Sequence, residues 1–278
     1  MVRIIDVGSN NLYHKSMDRR SDAQVIEIFH LLFLQVLTAH SRDKFLLKGG
    51  ANLRYFFGSV RYSNDIDFDI LDKRGGQVER NVDAVLTGRA LSVLLDQFDL
   101  RVEESTKPKQ TETTRRWKLG IAREDATGDL VRTKIEFSNR GVVNHDRIYE
   151  TIPRQVVEPY AIRPASLSHY GPVAALEQKI AALALRSETK ARDVFDLELL
   201  FRLRRTSDQT QTVDVSHAPL AALRAREITY ASFRSEVVPF LDPDIAALYD
   251  GHEQWKNMCT TVSEEIAALV GRVMGAAS

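Results

Sequence analysis

Three aspartates alternate with apolar residues in the stretch NDIDFDI, which occupies residues 64–70. Aspartate is a poor strand former, yet this alternation is typical of a half-buried β-strand. Because side chains two residues apart in a strand point to the same face, Asp65, Asp67 and Asp69 would share one face while the apolar residues enter a core. Carboxylates at this spacing can bind a hard divalent cation together with substrate phosphates. A solvated acidic face is the alternative, although such a row repels itself.

Two glycines precede this stretch at a predicted strand-to-helix junction. The strand run KFLL ends before Lys48, and the helical run ANLRYFF follows Gly50 directly. Backbone N–H groups at a helix N-terminus, unobstructed by side chains at Gly49 and Gly50, form an anion site that suits phosphate. Lys48 would add a point charge beside it. A tight turn without any ligand is the simpler explanation for the glycine pair taken alone.

The glycine turn and the acidic strand together indicate a site for nucleotide chemistry. A phosphate-binding turn that opens a helix, followed about fifteen residues later by an Asp-x-Asp strand, is the layout of the nucleotidyltransferase fold. Such enzymes usually need a third carboxylate on a neighbouring strand, and Glu136 in the run VRTKIEFSN is the candidate. It would complete a metal site or deprotonate the attacking hydroxyl. Glu136 could instead be a surface residue paired with Lys134.

The elements that would position these residues follow from hydrophobic periodicity. Residues 22–40 and 76–98 are predicted to form two amphipathic helices. Strand-like runs come next, at residues 100–106, 113–122 and 130–139. From about residue 170 the pattern is almost wholly helical. The sequence therefore predicts an α/β (α+β) protein, with a mixed sheet in residues 1–160 and a helical domain in residues 161–278.

The composition of the 278 residues, 44% hydrophobic and 27% charged, is typical of a soluble globular protein. The 38 basic and 38 acidic residues give a net charge of zero, so a globally basic nucleic-acid binder is not indicated. The single cysteine, Cys259, cannot form an internal disulfide and matches no metal-binding spacing. The chain has no uninterrupted apolar run of membrane-spanning length, and its opening residues lack the apolar segment of a signal peptide. We expect a cytoplasmic protein with no membrane association.

Two blocks of the sequence resemble the AbiEii/AbiGii toxin family, which includes the MenT-type toxins of type IV toxin–antitoxin systems. The first block is similar to the family's K-G-G…R-x-S-x-D-I-D-F signature, and its matching residues are Lys48, Gly49, Gly50, Arg61, Ser63, Asp65, Ile66, Asp67 and Phe68. The second, about 110 residues later, is similar to the family's E-x-K…R-D-x-x-D-L motif, and its matching residues are Glu177, Lys179, Arg192, Asp193, Asp196 and Leu197. The last 70 residues are not covered by the resemblance.

The resemblance implies a nucleotidyltransferase with two lobes, in which the helical domain closes a nucleotide cleft. It implies that Asp65 and Asp67 bind Mg²⁺ (or Mn²⁺), while Ser63 and the Gly49–Gly50 turn contact the triphosphate of an NTP. Lys179 would reach a phosphate. The best-understood members of the family transfer a nucleotide from an NTP to the 3′ acceptor end of tRNA, which blocks aminoacylation and halts translation. The expected partners are therefore tRNA and a cognate antitoxin protein encoded nearby.

The acidic pair of the second block has more than one interpretation. Asp193 and Asp196 are three residues apart and therefore share one face of a helix. The resemblance makes one of them a further acidic residue of the site, whereas helix-dipole and ion-pair effects make either a capping or ion-pairing residue. Lys179, near an apolar seam, could likewise be a side chain that extends to water. Asp69 extends the acidic row of the first block by one position, and we expect it at the periphery of the site.

A basic run indicates where an RNA acceptor would bind. Basic residues surround Trp117 in the stretch KPKQTETTRRWK, namely Lys107, Lys109, Arg115, Arg116 and Lys118. They suit phosphate contacts with one aromatic stacking platform, although charges on exposed strands also serve solvation alone. Three functions remain open: a toxin that modifies tRNA, a small-molecule nucleotidyltransferase of the antibiotic-modifying kind, and a nucleotide-binding protein without turnover. The Gly-Gly pair disfavours the second, since antibiotic-modifying enzymes usually have Gly-Ser there.

Overall fold

The computed structural model describes residues 20–41, 44–71, 75–124, 129–139, 141, 146–206 and 212–276. The opening residues, for which the sequence predicts no signal peptide, lie outside this part of the chain. The first helix, α1 (Asp22–Ser41), agrees with its prediction. By length and composition its residues Asp22–Ala39 could cross a membrane, but 72% of that window is buried inside the protein, as in the core helix of a globular domain.

In the described part of the chain, seven strands form one mixed sheet in the order β3-β4-β5-β2-β1-β7-β6. The strands are β1 (Phe45–Lys48), β2 (Asp65–Ile70), β3 (Leu100–Gln110), β4 (Thr114–Arg123), β5 (Val131–Ser138), β6 (Arg147–Thr151) and β7 (Ser166–Tyr170). β2 runs antiparallel to β1 and parallel to β5, while β1 runs parallel to β7. The mixed sheet confirms the predicted α/β (α+β) class.

Helices pack on one face of the sheet and form the core of this lobe. α1 packs against α3 (Gly75–Leu86), α4 (Arg89–Asp96) and β5. The apolar side chains of β2, which are Ile66, Phe68 and Ile70, are at most 4% exposed and belong to this core. The period-two pattern of β2 therefore predicted the buried face correctly, and the aspartates lie on the opposite face.

The predicted second amphipathic helix is divided into α3 and α4. At the break, the Thr87 backbone N–H donates to Asp83 and the Gly88 N–H donates to Val85. A Cβ at Gly88 would lie only 2.5 Å from the carbonyl oxygen of Ala84, so glycine is required at this junction. The hydrophobic pattern did not reveal the break, because the apolar residues on both sides of it enter the same core.

The sheet extends past residue 160, where the sequence pattern placed the domain boundary. β7 lies between β1 and β6 in the sheet, and Leu167 of β7 belongs to the same core as β1 and β2. Apart from Leu53, the second core of the protein begins at Val173. We propose that the boundary between the two lobes lies after Tyr170.

The second lobe is built from helices that share this second core. They are α6 (Pro172–Leu185), α7 (Ala191–Thr206), α8 (Ala218–Glu227), α9 (Tyr230–Glu236), α10 (Pro243–Tyr249) and α11 (His252–Ala276), and the first lobe contains the short α2 (Gly49–Phe56) and α5 (Arg154–Val157). α11 packs on α8 and α7, and α6 packs on α7 and α8. Because Leu53 of α2 also lies in this core, the helical lobe packs directly on the helix that carries the glycine turn.

Candidate active site

The glycine turn lies where α2 begins, directly at the end of β1, and it lines a cleft between the two lobes. Gly49 has a φ of +70°, in the left-handed region that favours glycine. A Cβ at Gly50 would lie 2.7 Å from the Oγ atom of Ser63 and 3.0 Å from the Arg61 guanidinium. The Ser63 hydroxyl donates a 2.7 Å hydrogen bond to the Asp65 carbonyl, which holds it against the turn. Backbone conformation therefore requires the first glycine, and the close approach of Ser63 requires the second.

The acidic row extends over two neighbouring strands. The parallel register of β2 and β5 pairs Asp65 with Lys134 and Asp67 with Glu136. Paired residues on neighbouring strands point to the same face of a sheet. Asp65, Asp67, Glu136 and Lys134 therefore share the face opposite the core, and Glu136 lies where a third carboxylate would be needed.

Cations neutralise two of these three carboxylates. The Nζ atom of Lys134 lies 3.0 Å from Asp65 and 3.8 Å from Glu136. A nitrogen of Arg116 lies 2.7 Å from the Oε2 atom of Glu136. Glu136 is thus both adjacent to the acidic pair and ion-paired, chiefly with Arg116. In the part of the chain that the structure describes, Asp67 has no direct ion pair.

The pKa of Asp67 is raised above its ordinary value. Burial raises the pKa of Asp67; the attraction of Lys134 opposes this rise, and the charges of Asp65 and Glu136 add to it. Burial lowers the pKa of Lys134, but its attraction to Asp67 and Asp65 outweighs that effect and raises the pKa overall. An added cation would offset the repulsion that Asp67 experiences from Asp65 and Glu136. Among the described residues, no three acidic, histidine or cysteine side chains form a preassembled metal site.

Asp69, which we expected at the periphery of the site, does not line the polar part of the cleft and has partners of its own. Asp69 is only 5% exposed. Its carboxylate accepts hydrogen bonds from the Lys48 ammonium at 2.5 Å and from the Tyr170 hydroxyl at 2.6 Å. The partners come from β1 and β7, and β1 lies between β2 and β7 in the sheet. Lys48, a candidate phosphate contact, also lines the cleft but is bound to Asp69 in this structure.

A buried ion-pair network lies on the helical side of the cleft. The Nζ atom of Lys179 is 2.5 Å from Asp196 and 2.9 Å from Asp193. Arg61, from the first lobe, donates to both carboxylate oxygens of Asp196 at 2.9 Å. Both aspartates are 0% exposed, and Lys179 is 8% exposed. The structure therefore brings all three predicted residues of α6 and α7 together, with the aspartates bound to cations and Lys179 at the cleft.

The network also connects the two lobes. Burial by itself would raise the pKa of Asp196, but Arg61 and Lys179 outweigh that effect and lower the pKa. Asp196 is therefore ionised in the interior of the protein. Arg61 matched the family signature, but the sequence did not show that its partner would be Asp196 of the second block, 135 residues away.

The cleft has a polar part of about 290 Å³ around the acidic row and a larger part of about 720 Å³ beside it. The cations of the polar part that were not predicted to contact the nucleotide are Arg61, Arg116, Lys134, Arg186 and Arg192, of which Arg116 was predicted for the RNA surface. Period-two spacing from Glu136 could have identified Lys134, and the second motif contains Arg192, whereas Arg186 had no sequence signal. The larger part has an apolar wall formed by Leu53, Ala175, Ala181, Ala182 and Leu185, and Gln178 also lines it.

The prediction that Trp117 forms an aromatic stacking platform for RNA was wrong. Trp117 is fully buried in the core of the sheet lobe, and its indole N–H donates to Asp83 of α3 at 2.9 Å. Arg115 points to the same side of β4, 4.0 Å from Glu79 of α3. Lys107 is ion-paired with both of these α3 carboxylates. The strand alternation therefore places the tryptophan and part of the basic run on the helix-covered side of the sheet.

The rest of the basic run lies on the face that carries the acidic row. The strand register pairs Arg116 with Glu136 and Lys118 with Lys134. Lys109 is paired with Arg116 across β3 and β4. Three of the five predicted basic residues thus continue the polar face of the cleft.

The chain is similar to a known family over most of its length. The family model described as nucleotidyl transferase AbiEii toxin, type IV TA system, matches residues 31–268. Among curated proteins, none matches the sequence.

Solved structures share this fold at low sequence identity. A Helicobacter pylori protein assigned as a nucleotidyltransferase has a TM-score of 0.55 at 17% identity, over 88% of this chain and 97% of that chain. JHP933 from Helicobacter pylori has a TM-score of 0.51 at 17% identity, over 92% and 98% of the respective chains. MenT4, the nucleotidyltransferase toxin Rv2826c from Mycobacterium tuberculosis H37Rv, has a TM-score of 0.53 at 16% identity, over 88% and 84%. These likenesses establish the fold.

Proposed function

We propose that this chain, which belongs to the AbiEii family of nucleotidyltransferase toxins from type IV toxin–antitoxin systems, transfers a nucleotide from an NTP to the 3′ acceptor end of tRNA. The observation that carries the proposal is the shared face of Asp65, Asp67 and Glu136, in one cleft with the glycine turn and Lys179. Such a transfer would prevent aminoacylation and stop translation. A cognate antitoxin protein would be the second partner.

Asp65 and Asp67 would hold a divalent cation, Mg²⁺ or Mn²⁺. Their chemistry fits such an ion, because Mg²⁺ takes one or two carboxylates and completes its shell with water and substrate phosphates. When bound, the cation offsets phosphate charge and favours ionisation of the attacking hydroxyl. A closed cage of protein ligands is therefore not needed at this site.

The protein's own groups would hold the triphosphate. The helix N-terminus at Gly49–Gly50 offers backbone N–H groups to an anion, and the Ser63 hydroxyl lies beside them. Lys179 would offset phosphate charge from the opposite wall of the cleft. In this proposal Asp193 and Asp196 keep Lys179 in place rather than contact the substrate, since both are completely buried.

Glu136 would accept the proton of the attacking hydroxyl, whose oxygen bonds to the α-phosphate as the bond from that phosphate to the leaving pyrophosphate breaks. It lies beside Asp67 on the neighbouring strand, and its side chain is 17% exposed and therefore accessible from the cleft. The ion pair with Arg116 fixes its carboxylate at the edge of the site. These positions suit a general base, which must lie within hydrogen-bonding reach of the proton that it removes.

The nucleoside would lie in the larger part of the cleft. Ala175, Ala182 and Leu185 of α6 form an apolar wall that suits the face of a base, and Gln178 offers an amide for hydrogen bonds to its edge. This part adjoins the polar part, with Gly49, Asp67 and Lys179 common to both linings. A nucleotide could therefore occupy both parts at once.

The basic face favours a polyanionic acceptor over a small molecule. Lys118, Lys109 and Arg116 continue the face of the acidic row across β4 and β3. Cations in line with a reaction site bind phosphates along a nucleic-acid strand. A small antibiotic is too short to contact this extended surface.

The experiment that tests the function supplies each α-³²P-labelled NTP, with Mg²⁺ and total cellular RNA, to the purified protein. We expect label to move to tRNA. The Asp65→Ala variant should lose this activity, whereas Asp96→Ala should retain it, since Asp96 is an exposed residue at the end of α4. The 3′ position of the label is then mapped by terminal nuclease digestion.

Other outcomes of this experiment would assign the chain to another function. Label on a small-molecule acceptor, with none on RNA, would support the small-molecule alternative. Tight NTP binding without transfer to any acceptor would support a nucleotide-binding protein without turnover.

Replacing Gly50 with alanine is expected to reduce the transfer rate by about 10²-fold, since displacements near 1 Å have effects of this size. The new Cβ would lie 2.7 Å from the Oγ atom of Ser63 and would push Ser63 away from the turn. Steady-state kinetics with labelled NTP measure the effect. Gly271→Ala is the matched control because Gly271 has open space around it, and an equal loss in both variants would contradict the argument.

Replacing Lys118 with alanine is expected to weaken RNA binding and leave NTP binding unchanged. If Lys118 contacts one phosphate, the slope of log affinity against log salt concentration should fall by about 0.7–0.9. Lys107→Ala is the control, because Lys107 is ion-paired with α3 on the other side of the sheet. Filter binding of labelled tRNA over a salt series measures both variants. Identical salt slopes for the two variants would show that Lys118 does not contact the RNA.

A further inference from the structure

Lys134 lies among the three carboxylates of the acidic row, Asp65, Asp67 and Glu136. The register of β2 and β5 places Lys134 beside Asp65, with its Nζ atom 3.0 Å from the Oδ2 atom of Asp65. The same Nζ atom lies 3.8 Å from Glu136, and the side chain is 25% exposed. This ammonium group therefore bridges the two strands at the place where a divalent cation would join them.

The charges around the row leave little attraction for a free divalent cation. Asp65, Asp67 and Glu136 carry three negative charges, and Lys134 and Arg116 carry two positive charges. A divalent ion added alone would make this group net positive, unless Lys134 moved away from Asp65. The described residues also lack a preassembled cluster of three metal-binding side chains.

A bound nucleotide changes this balance, because its triphosphate brings several negative charges into the same cleft. Lysine has a flexible four-carbon stem with rotatable donors, so its ammonium can exchange one anionic partner for another. Lys134 lines the polar part of the cleft together with Gly49 and Lys179. It could therefore leave Asp65 for a phosphate oxygen without leaving the site.

We propose that Lys134 holds the place of a divalent cation in the acidic row until a nucleotide arrives, so that metal and NTP bind as a coupled pair. This inference rests on the proposed function, since it concerns the same site. It makes Lys134 a positioning residue that keeps Asp65 and Glu136 in register and disfavours metal binding to the empty protein. By linkage, the metal would raise NTP affinity by the same factor by which NTP raises metal affinity.

The test measures Mn²⁺ binding to the full chain by electron paramagnetic resonance, first without nucleotide. We expect Lys134→Met, which keeps the length and removes the charge, to bind Mn²⁺ at least about tenfold more tightly than the wild type. Lys134→Arg keeps the charge and should bind as weakly as the wild type. Arg132→Met is the control, because Arg132 lies two residues earlier on β5 and is paired with Glu104; it should leave Mn²⁺ affinity unchanged.

The second half of the test repeats the titration with a saturating non-hydrolysable NTP analogue. The analogue should raise Mn²⁺ affinity in the wild type by a larger factor than in Lys134→Met, since the variant has no lysine to displace. Unchanged or weaker Mn²⁺ binding by a folded Lys134→Met protein, with its thermal unfolding checked in parallel, would overturn the inference. Equal coupling factors in both proteins would do the same.

Failure of the inference and failure of the proposed function give different results. Mn²⁺ binding needs neither an acceptor nor turnover, so the effect of Lys134→Met can be observed even if RNA is never labelled. Normal RNA labelling together with an unchanged Mn²⁺ affinity in Lys134→Met would overturn only the role of Lys134.

Discussion

Replacing Asp67 with asparagine is expected to lower the rate of nucleotide transfer by about 10³-fold or more and to raise the free energy of unfolding of the protein in EDTA. The transfer rate should fall and the stability should rise for the same reason, which is that the carboxylate of Asp67 has no cationic side chain bound directly to it in the part of the chain that the structure describes. Asp67 is the carboxylate of the row without a direct ion pair among the described residues. A carboxylate without a direct ion pair keeps its oxygens available to the cation that the proposed reaction needs.

The effect on activity follows from the position of Asp67. A Cβ at Gly49 would lie 3.2 Å from the Oδ2 atom of Asp67, so the carboxylate lies directly against the glycine turn. On its other side, the strand register places Glu136 beside it. Asparagine preserves the shape but removes the charge, and the site then loses the carboxylate that lies between the glycine turn and Glu136, the proposed general base.

The effect on stability follows from the raised pKa of Asp67, which is caused first by burial and then by Asp65 and Glu136. An acid with a raised pKa in the folded state binds protons more tightly when folded, so its ionisation opposes folding. This penalty is complete above the folded pKa and absent below the unfolded pKa. The stability gained by Asp67→Asn should therefore be full at neutral pH and disappear as the pH falls into the acid range.

Urea unfolding at several pH values, together with transfer assays, measures both effects. Asp69→Asn is the matched comparison on the same strand, because Asp69 is ion-paired with Lys48 and bonded to Tyr170. It should lower the free energy of unfolding by about 1–3 kcal/mol, the opposite sign. A wild-type rate of transfer by the Asp67→Asn variant would show that Asp67 takes no part in the reaction. A lower free energy of unfolding of this variant at neutral pH would contradict the electrostatic argument.

The predictable features of the site are those that local geometry determines. The alternation in β2 placed the aspartates on the face opposite Ile66 and Phe68, because strand side chains have a period of two. The glycine pair predicted a tight strand-to-helix turn, and Gly49, where α2 begins, has a positive φ. These features depend on neighbouring residues only, so the sequence displays them directly.

Features that depend on distant partners could not be predicted in the same way. β7, in the run SLSHY, was missed because its buried His169 is polar and is satisfied by Asn52 and Glu150, far away in sequence. Asp69 meets Tyr170 across 101 residues. Trp117 stands among basic residues, which resembles a nucleic-acid surface, yet the alternation of β4 turns it into the core. The period-two run of Trp117, Leu119 and Ile121, all buried, is the local signal that could have placed Trp117 in the core.

Replacing Asp196 with alanine is expected to lower the free energy of unfolding by about 3–5 kcal/mol, the range for removing one partner of a buried ion pair. The variant leaves Arg61, 4% exposed, without its carboxylate partner and Lys179, 8% exposed, with only one carboxylate. Asp193 cannot replace the lost charge, because it already binds Lys179 and Arg186. Glu198→Ala, on the same helix, should change stability by less than about 0.5 kcal/mol, since its pair with Arg202 is partly exposed.

Urea unfolding compares these variants with a double variant, Arg61→Leu with Asp196→Leu. Replacing both partners of a buried pair by apolar residues is often neutral or stabilising, so the double variant should recover much of the lost stability. A double variant as unstable as Asp196→Ala would show that the pair contributes more than its charges, through hydrogen bonds such as that from Arg61 to the Tyr62 carbonyl.

A double-mutant cycle between Asp196 and Lys179 then separates positioning from direct participation in the reaction. If Asp196 acts by holding Lys179, the losses of NTP affinity in Asp196→Ala and Lys179→Met should be strongly non-additive, because the second change removes what the first one positions. If Asp196 contacted the metal or the acceptor itself, the two losses would add, and Asp196→Ala would weaken Mn²⁺ binding even in the Lys179→Met background. The complete burial of Asp196 favours non-additive losses, since a carboxylate bound on two sides by Arg61 and Lys179 has no free edge to offer a substrate.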